Sequence, residues 1–386
     1  MAATSAEEVA EAVKAAIARD ERLEIIGAGT KRSLGRPVHA TDTLDVSGCK
    51  GIVSYEPSEL ILSARAGTSL GEIEALLAAN DQILAFEPPD FGSLFGVSAA
   101  QATLGGTVAV NASGPRRFKA GAARDHILGV TAVSGRGEIF KAGGKVVKNV
   151  TGYDLPRLLA GSFGTLAVMT EITMKVLPKP ETQSTLLLHR LDDNVVFRAL
   201  GAALRSPWDV SGAAYLAEEQ ITALRVEGIS QSVDDRCTQL RKLLAPFGPV
   251  ETMESQRSRE FWSRVEKVSA FAHSEIVWRL SFPPAESAAA GRKLRETIPG
   301  SRTIADWGGS LLWLALPGED ALAEIVRAVA ARAGGHAMLF RAPMDHRESI
   351  EVMPPLEPSL RALNARVKEQ FDPKRVLNPG RMYREI

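Results

Sequence analysis

Residues 103–121, TLGGTVAVNASGPRRFKAG, restrict the possible folds of this chain more than any other segment. The segment is rich in Gly, Ala, Ser and Asn, so it has too few large side chains to build a core of its own. Backbone that carries no bulky side chains can approach another surface closely. We therefore expect this segment to lie against something, either as a tightly packed buried helix or as one wall of a ligand site.

A second run of small residues follows the short apolar segment 23–26, which is typical of a buried strand. The loop Gly27-Ala28-Gly29-Thr30-Lys31 exposes backbone N–H groups that could cradle a pyrophosphate. A Rossmann fingerprint is disfavoured, because position 32 is Arg and residues 33–37 do not have a helical pattern. By itself the loop is either a phosphate loop or a plain turn. Residues 103–114 favour the phosphate loop, since two such segments can clamp one extended cofactor.

The composition excludes several classes of protein. The 386 residues contain 46 Lys and Arg and 46 Asp and Glu, a balance that argues against a nucleic-acid or anionic-membrane partner. Two cysteines, Cys49 and Cys237, provide neither a disulfide framework nor an iron–sulfur set. The six histidines include no close pair at metal-ligand spacing, so we expect no metal centre. Residues 1–19 lack the features of a secretory signal, which predicts a cytoplasmic protein that reaches a membrane only through partner subunits.

Helix and strand patterns are mixed along the chain and predict an α+β fold. Ser5, followed by Glu7 and Glu8, predicts the start of a first helix. Pro178 and Pro180 close a β-rich run and indicate a domain boundary. Beyond them strands and helices alternate twice in one order, which suggests split βαβ units and a ferredoxin-like cap domain. We expect a first domain at 1–180, a cap at 181–350 and a segment at 351–386 that packs back on the first domain.

An ordered series of short motifs carries a family resemblance. The series is TLGGTVAVNASG, GAARDHILGV, SGRG, KNVTGYDLPRLLAGSFGTLAVMTEITMKVLP and FDPKRVLNPGRMY. It resembles the FAD-binding half of the vanillyl-alcohol oxidase and p-cresol methylhydroxylase superfamily. Within that superfamily the chain is similar to the FAD-binding E subunits of bacterial glycolate oxidase, most strongly over 20–180 and 371–383. The resemblance implies a two-part FAD-binding domain and an FAD-dependent oxidoreductase that acts on a 2-hydroxy acid such as glycolate.

The resemblance also implies partners. It predicts a complex with a paralogous flavoprotein subunit and an iron–sulfur subunit, which pass on the electrons of the reduced flavin. The paralogous subunit carries a His-x-x-Gly-Asp-Gly-Asn-x-His segment that this chain lacks. An alternative is therefore a non-catalytic electron-transfer or scaffold subunit that holds FAD while its paralogue oxidises the substrate. A nicotinamide-dependent reductase on the same fold is disfavoured by the C-terminal motif.

The resemblance further implies which residues hold the cofactor. Residues 27–31 would bind the FAD pyrophosphate from one side and residues 103–106 from the other. The full predicted set is Gly27, Ala28, Gly29, Thr30, Lys31, Pro88, Thr103, Gly105, Gly106, Asn111, Gly114, Lys148, Gly161, Gly164, Thr165, Val168 and Asn378. Phe163 stands where the superfamily often has Glu, so any role of that glutamate is absent. No His or Cys occurs in 25–35 or 100–121, so we expect a dissociable, non-covalent FAD.

Catalytic candidates are fewer. His336 lies in a recognisable stretch of the cap and could take the hydroxyl proton of the substrate, or it is a hydrogen-bonded histidine at the start of a strand. Trp307 and Trp313 either pack the core of the cap or face a partner subunit. Two groups of charged residues are further candidates. Arg116, Arg117, Lys119 and Arg124 could bind a carboxylate or phosphate, and Lys145 and Lys148 could stabilise the reduced flavin. For each of them the alternative is an ordinary solvated surface residue.

Overall fold

The computed structural model describes residues 1–97, 101–144 and 152–385, which form two compact units. Unit 1 consists of Met1–Ser113, Gly121–Lys179 and Glu351–Ile386. Unit 2 consists of Gly114–Ala120 and Pro180–Ile350. The segment 114–120 thus differs from the sequence-based domain boundaries, which placed it in the first domain. It belongs to unit 2 because Arg116 makes an ion pair with the buried Glu227 of that unit.

Unit 1 has short strands and mostly short helices. Its strands are β1 (Leu23–Ile26), β2 (Asp42–Asp45), β3 (Ile52–Glu56), β4 (Ile61–Arg65), β5 (Gln82–Ile83), β6 (Ile127–Ser134), β7 (Ile139–Gly143), β8 (Ala167–Lys175) and β9 (Leu177–Pro178). The helices in this part of the sequence are α1 (Ala6–Ala18), α2 (Leu70–Ala78), α3 (Gly92–Phe95), α4 (Leu104–Ala109), α5 (Arg117–Ala120), which belongs to unit 2, α6 (Ala123–His126) and α7 (Leu155–Leu159).

The strands of unit 1 form separate small sheets. Strands β1 and β2 pair in parallel, β5 pairs with β9, and a five-stranded antiparallel sheet has the order β3-β4-β8-β6-β7. Helix α1 begins where predicted: the Ser5 side chain accepts a hydrogen bond from the Glu8 backbone N–H at 3.2 Å. Val9 and Val13 then recur at helical spacing and are fully buried. Their burial fixes the helix against β1, whose carboxyl end leads into the glycine loop.

Unit 2 is built on one sheet. Its strands are β10 (Thr182–His189), β11 (Val210–Leu216), β12 (Ile221–Gly228), β13 (Glu251–Glu254), β14 (Ile276–Ser281), β15 (Arg302–Asp306), β16 (Leu311–Leu316) and β17 (His336–Arg341). Its further helices are α8 (Asp193–Leu204), α9 (Ser230–Leu244), α10 (Ser255–Glu266), α11 (Ser287–Thr297), α12 (Ala323–Arg332) and α13 (Met344–Ser349), and α14 (Pro358–Phe371) follows in unit 1.

The sheet of unit 2 contains two tandem βαββαβ repeats. Its order is β13-β10-β12-β11-β15-β16-β14-β17, so each repeat places its first strand between its third and fourth, and β11 pairs with β15 to join the two. This is the ferredoxin-like order, and it occurs twice. The mixed α and β fold class predicted from the sequence is confirmed, although β12, β13 and β15 were not predicted. Apolar and charged residues alternate from Leu224 to Glu227, so the pattern predicts a half-buried strand with Arg225 exposed, whereas Arg225 is buried.

No helix in the described part of the chain combines the length and the apolar character needed to cross a membrane.

Candidate functional site

The glycine loop lines a cleft in unit 1. Strand β1 ends at Ile26, and Gly29 has a φ of +71°, a left-handed conformation that a residue without Cβ adopts at little cost. A Cβ on Gly27 would lie 2.7 Å from Thr103 Oγ1, so only glycine permits this approach. The loop and the segment around Thr103 therefore lie face to face along the cleft.

The wall opposite the loop is the start of helix α4. Thr103 caps this helix, and its Oγ1 accepts a hydrogen bond from the Gly106 backbone N–H at 3.2 Å. Gly105 packs so closely on Ala66 that an added Cβ would lie 2.7 Å from the Ala66 Cβ. Leu104 is fully buried beneath. The small residues thus have both of the roles that the sequence left open, close packing and the lining of a ligand site. One side of α4 packs inward, and Gly106 faces the cleft.

A third wall comes from Phe163 and Gly164, which Asn378 holds in place. The Asn378 side chain donates from Nδ2 to the Phe163 carbonyl at 2.8 Å and accepts from the Ile25 backbone N–H at 2.8 Å. Phe163 has a φ of +57°, which is unusual for a bulky residue, and a Cβ on Gly164 would lie 2.8 Å from Asn378 Nδ2. Because both polar groups of the Asn378 amide are engaged, its role is to fix two walls of the cleft.

Lys31 is a buried cation at the end of the glycine loop. Only 8% of its surface is exposed, and burial lowers the pKa of its ammonium group to about 8, although Asp90 opposes the shift. In the described ranges its Nζ makes one hydrogen bond, of 3.4 Å, to Thr107 Oγ1. An ammonium group has three donors, so the geometry leaves Lys31 able to bind an anion in the cleft.

Arg381 supports the loop from the C-terminal tail, and the sequence analysis did not identify it. Its guanidinium group donates to the backbone carbonyls of Lys31 at 3.0 Å and Arg32 at 2.8 Å. Glu24, which is 7% exposed, lies 3.7 Å from Arg381 and also pairs with Arg32. The motif LNPGRMY contains Arg381 and could have pointed to it. Only Asn378 of this motif was predicted to bind the cofactor.

A buried ion pair fixes the tail against the cleft. Lys368 Nζ donates to Asp372 Oδ2 at 2.8 Å, to the Thr165 carbonyl at 2.6 Å and to the Leu377 carbonyl at 3.1 Å. Asp372, which has no exposed surface, also accepts from the Leu377 backbone N–H at 2.8 Å. This network connects α14 with Thr165 and Leu377, the chain neighbours of the cleft residues Gly164 and Asn378, and explains why the tail belongs to unit 1.

The predicted cofactor residues fall into groups. Those that line the cleft are Gly27, Ala28, Gly29, Thr30, Lys31, Thr103, Gly105, Gly106, Gly164, Val168 and Asn378. Pro88, Asn111, Gly161 and Thr165 lie outside its lining; the Thr165 hydroxyl, for example, donates to the Ser162 carbonyl at 2.6 Å. Gly114 belongs to unit 2, where its carbonyl accepts from Trp307 Nε1 at 3.0 Å. Lys145 and Lys148 lie outside the described residues. FAD contacts of these residues remain predictions.

His336 lines a separate, open cavity in unit 2. It begins β17 opposite Ser281, and the cavity also contains Arg117 and Trp307. Burial, together with the charge of Arg279, lowers the pKa of His336. An imidazole with a lowered pKa is uncharged at neutral pH and can accept a proton. Among the described residues there is no group of three His, Cys, Asp or Glu side chains placed to hold a metal ion.

Comparison with known proteins identifies the family. Residues 1–143, which include the glycine loop and α4, match the family described as an FAD binding domain. Over 378 residues the chain is 37% identical to the glycolate oxidase subunit GlcE of Escherichia coli (strain K12), and the match covers 97% of each chain. The chain belongs to the family of GlcE subunits. A shorter match, 34% identical, joins 44% of this chain to 34% of the glycolate oxidase subunit GlcD of Bacillus subtilis (strain 168).

The fold agrees with this assignment. The structure is similar to that of an alkyldihydroxyacetonephosphate synthase, with a TM-score of 0.72, 16% identity and coverage of 98% of this chain and 76% of the other. At this identity the likeness concerns the fold alone. As a member of the GlcE family with an FAD binding domain, the chain is an FAD-dependent oxidoreductase. The cleft fits that cofactor, because its backbone is free of Cβ atoms at Gly27 and Gly106 and Lys31 supplies a positive charge.

Proposed function

We propose that this chain is the FAD-binding subunit of a glycolate oxidase complex, which oxidises a 2-hydroxy acid and passes the electrons to partner subunits. These partners are a paralogous flavoprotein subunit and an iron–sulfur subunit. The observation that carries the proposal is the cleft of unit 1, which is formed by separate segments of the chain. The chain is similar to GlcE over 97% of its length. The partial match to GlcD supports a paralogous flavoprotein as one partner.

In this proposal the cleft residues divide the work of binding FAD. The N–H groups of residues 27–30 bind the diphosphate, and Lys31 neutralises part of its charge. Thr103 caps α4 so that Gly106 faces the cleft, and Asn378 and Arg381 keep the walls in position. None of the cleft-lining residues that the structure describes is a His or Cys, which supports non-covalent binding.

The chemistry follows from the cofactor. When bound, FAD accepts a hydride from the carbon that bears the hydroxyl group of the substrate. His336 is the proposed acceptor of the hydroxyl proton, because it lines the cavity of unit 2 and its lowered pKa keeps the imidazole uncharged before the transfer. The rival proposal is that the paralogue oxidises the substrate and this chain only transfers electrons. The missing histidine-rich segment of the paralogue favours that rival.

A flavin spectrum tests the proposal. The purified chain is expected to be yellow, or to become yellow with added FAD, and protein that takes up no FAD would contradict the proposal. Anaerobic addition of glycolate then distinguishes substrate oxidation by this chain from electron transfer only. Bleaching of the flavin bands by glycolate in the isolated chain supports substrate oxidation by this chain. Bleaching that requires the paralogous subunit supports electron transfer only.

A further inference from the structure

The cavity of unit 2 collects polar residues on one face of the sheet. Arg279 and Ser281 are two residues apart on β14, so their side chains project to the same face. His336 is directly opposite Ser281 on the edge strand β17. Trp278, which precedes Arg279, points to the other face, where its Nε1 donates to the Ala321 carbonyl at 2.9 Å. The face that carries Arg279 borders an open cavity of about 440 Å³, lined by Ser281 and His336 among others.

Arg279 is a buried cation beside this cavity. Protein atoms surround its side chain although it keeps some accessible surface, and it lies next to Trp307 and His336, which line the cavity. Burial and the nearby charge of Arg117 lower its pKa to about 10. Within residues 1–97, 101–144 and 152–385, no carboxylate lies within ion-pair distance of Arg279. A buried guanidinium group next to a like charge is unfavourable until an anion compensates it.

A strained loop presents an aromatic surface to both arginines. The guanidinium carbons of Arg117 and Arg279 lie 4.3 Å and 5.2 Å from the ring centre of Trp307. Trp307 has a φ of +52°, which is rare for a bulky residue, and the Asp306 carboxylate accepts from its backbone N–H at 2.7 Å. A Cβ on Gly308 would lie 2.3 Å from Leu204 Cδ1, so the turn has little freedom. The loop therefore holds the two cations together despite their repulsion.

We propose that this cavity is an anion site that binds the carboxylate of a small 2-hydroxy acid through the guanidinium groups of Arg117 and Arg279. Arginine is suited to this because its planar fork of N–H donors matches a carboxylate. Ser281 and His336 line the same cavity and offer partners for the hydroxyl group of the ligand. The choice of a hydroxy acid rests on the proposed function, whereas the anion site rests on the geometry of unit 2 alone.

Calorimetric titration of the full-length, FAD-loaded chain with glycolate tests the proposal. Arg279→Gln is expected to weaken glycolate binding roughly 10- to 100-fold, since a charge-assisted hydrogen-bonded pair is lost. Glycolamide, which lacks the charge, is expected not to bind the wild-type chain. The matched control is Arg327→Gln. Arg327 lies 5.5 Å from the ring centre of Trp278, which points to the other face of the sheet, and this variant should bind glycolate within about twofold of wild type.

The melting temperature separates binding from a structural role. If Arg279 only packs on Trp307, then Arg279→Gln should lower the melting temperature of the ligand-free chain. Our proposal expects no decrease, because the substitution removes a like-charge contact, and it expects glycolate to raise the melting temperature of wild type only.

Three outcomes would overturn the inference: no glycolate binding by wild type, equal binding by Arg279→Gln, or inorganic phosphate binding as tightly as glycolate. The FAD spectrum of the same samples shows whether such a failure also affects the proposed function. Chain that retains FAD but binds no glycolate contradicts only the anion site.

Discussion

The two repeats of unit 2 each place an arginine against a tryptophan ring, but they treat its charge differently. In the first repeat Arg225 lies 4.8 Å from the ring centre of Trp262 and forms an ion pair of 3.2 Å with Glu227. In the second repeat Arg279 lies 5.2 Å from the ring centre of Trp307 and, in the described part of the chain, has no carboxylate partner. Among the described residues, a carboxylate thus neutralises the arginine of the first repeat, whereas the arginine of the second repeat has none.

The two repeats also differ in how closely their sheet is covered. Helix α10 packs on the first repeat, where Trp262 Nε1 donates to Thr185 Oγ1 at 2.8 Å and Ser258 lies 2.7 Å from the same oxygen. A Cβ on Gly212 would lie 2.8 Å from the Trp262 ring, so this interface is closely packed. The second repeat borders an open cavity beside the corresponding first strand. One repeat therefore serves stability, and the other retains a charge for a ligand.

Unit 1 contains the same contrast. Lys368 pairs with Asp372 at 2.8 Å in the interior, whereas Lys31 has no carboxylate at ion-pair distance among the described residues. Both ammonium groups have lowered pKa values because both are buried. The charge of a buried cation with a carboxylate partner is compensated within the protein, and a buried cation without one marks a site where an anion can bind. The following predictions test this rule.

The largest effect, on the free energy of unfolding, is expected when the carboxylate partner of Arg225 is removed. Glu227→Gln leaves Arg225 and Arg116 buried without their shared carboxylate, which should lower the free energy of unfolding by about 3–5 kcal/mol. Urea denaturation measures the change. The control is Glu219→Gln, which removes a half-exposed partner of Arg264 and should change stability by less than about 0.5 kcal/mol. Equal effects of the two variants would show that burial does not distinguish these ion pairs.

Giving the second repeat the carboxylate of the first should strongly weaken ligand binding. Ser281→Glu places a carboxylate two residues from Arg279 on the same strand face, which reproduces the spacing of Arg225 and Glu227. The new carboxylate competes with the ligand, so glycolate affinity should fall roughly 100-fold. Ser281→Gln is the control of equal size; it also loses the Ser281 hydroxyl group, which should cost no more than about tenfold in affinity. Equal affinities for glycolate in the two variants would mean that Arg279 is not the anion anchor.

Removing the Lys31 cation of unit 1 should weaken cofactor binding. Lys31→Gln should raise the Kd for FAD about 10-fold, because one charge-assisted contact to the diphosphate is lost. Fluorescence titration of the apoprotein with FAD measures this. Lys50→Gln, at an exposed position of the same unit, is the control and should leave the Kd unchanged. An unchanged Kd in Lys31→Gln would remove Lys31 from the proposed binding site.

The smallest effect is a pH dependence of FAD binding. Lys31 has a pKa of about 8 in the ligand-free fold, and a bound diphosphate should raise it because it favours the charged form. Binding above pH 8 therefore requires uptake of a proton, so the Kd should be constant below pH 8 and rise above it, by no more in total than the roughly 10-fold effect of Lys31→Gln. Titrations between about pH 6.5 and 9.5 measure this. The Lys31→Gln variant should lose the dependence, and its persistence there would assign it to another group.

The same linkage applies to folding. The unfolded chain holds the Lys31 proton up to the ordinary lysine pKa of 10.5, whereas the folded apoprotein releases it near pH 8. The unfolded state thus binds more protons between these values, so Lys31 makes the apoprotein more stable as the pH rises through this range.

Local patterns predicted several elements well. Helix α1 begins after Ser5 as expected, and beyond Pro180 strands and helices alternate twice in one order, as predicted. These succeed because apolar periodicity and capping act over a few neighbouring residues. The burial of Arg225 and Glu227 in β12 could not be found in this way, since Glu227 also pairs with Arg116 from a distant segment. Arg381 escaped for a similar reason, because its hydrogen bonds to the glycine loop span about 350 positions.

By itself the sequence determined the family, the mixed α and β fold and the two small-residue segments that face each other across the cleft. Small residues are visible in a sequence, and the close approach they permit depends on the absence of side chains alone. Only the tertiary structure decided which buried cations are neutralised. Arg116 reaches Glu227 and Trp307 holds Arg117 near Arg279 through contacts between distant segments. Because charge compensation depends on distance in space, the sequence could name Arg117 and His336 as candidates but could not identify Arg279.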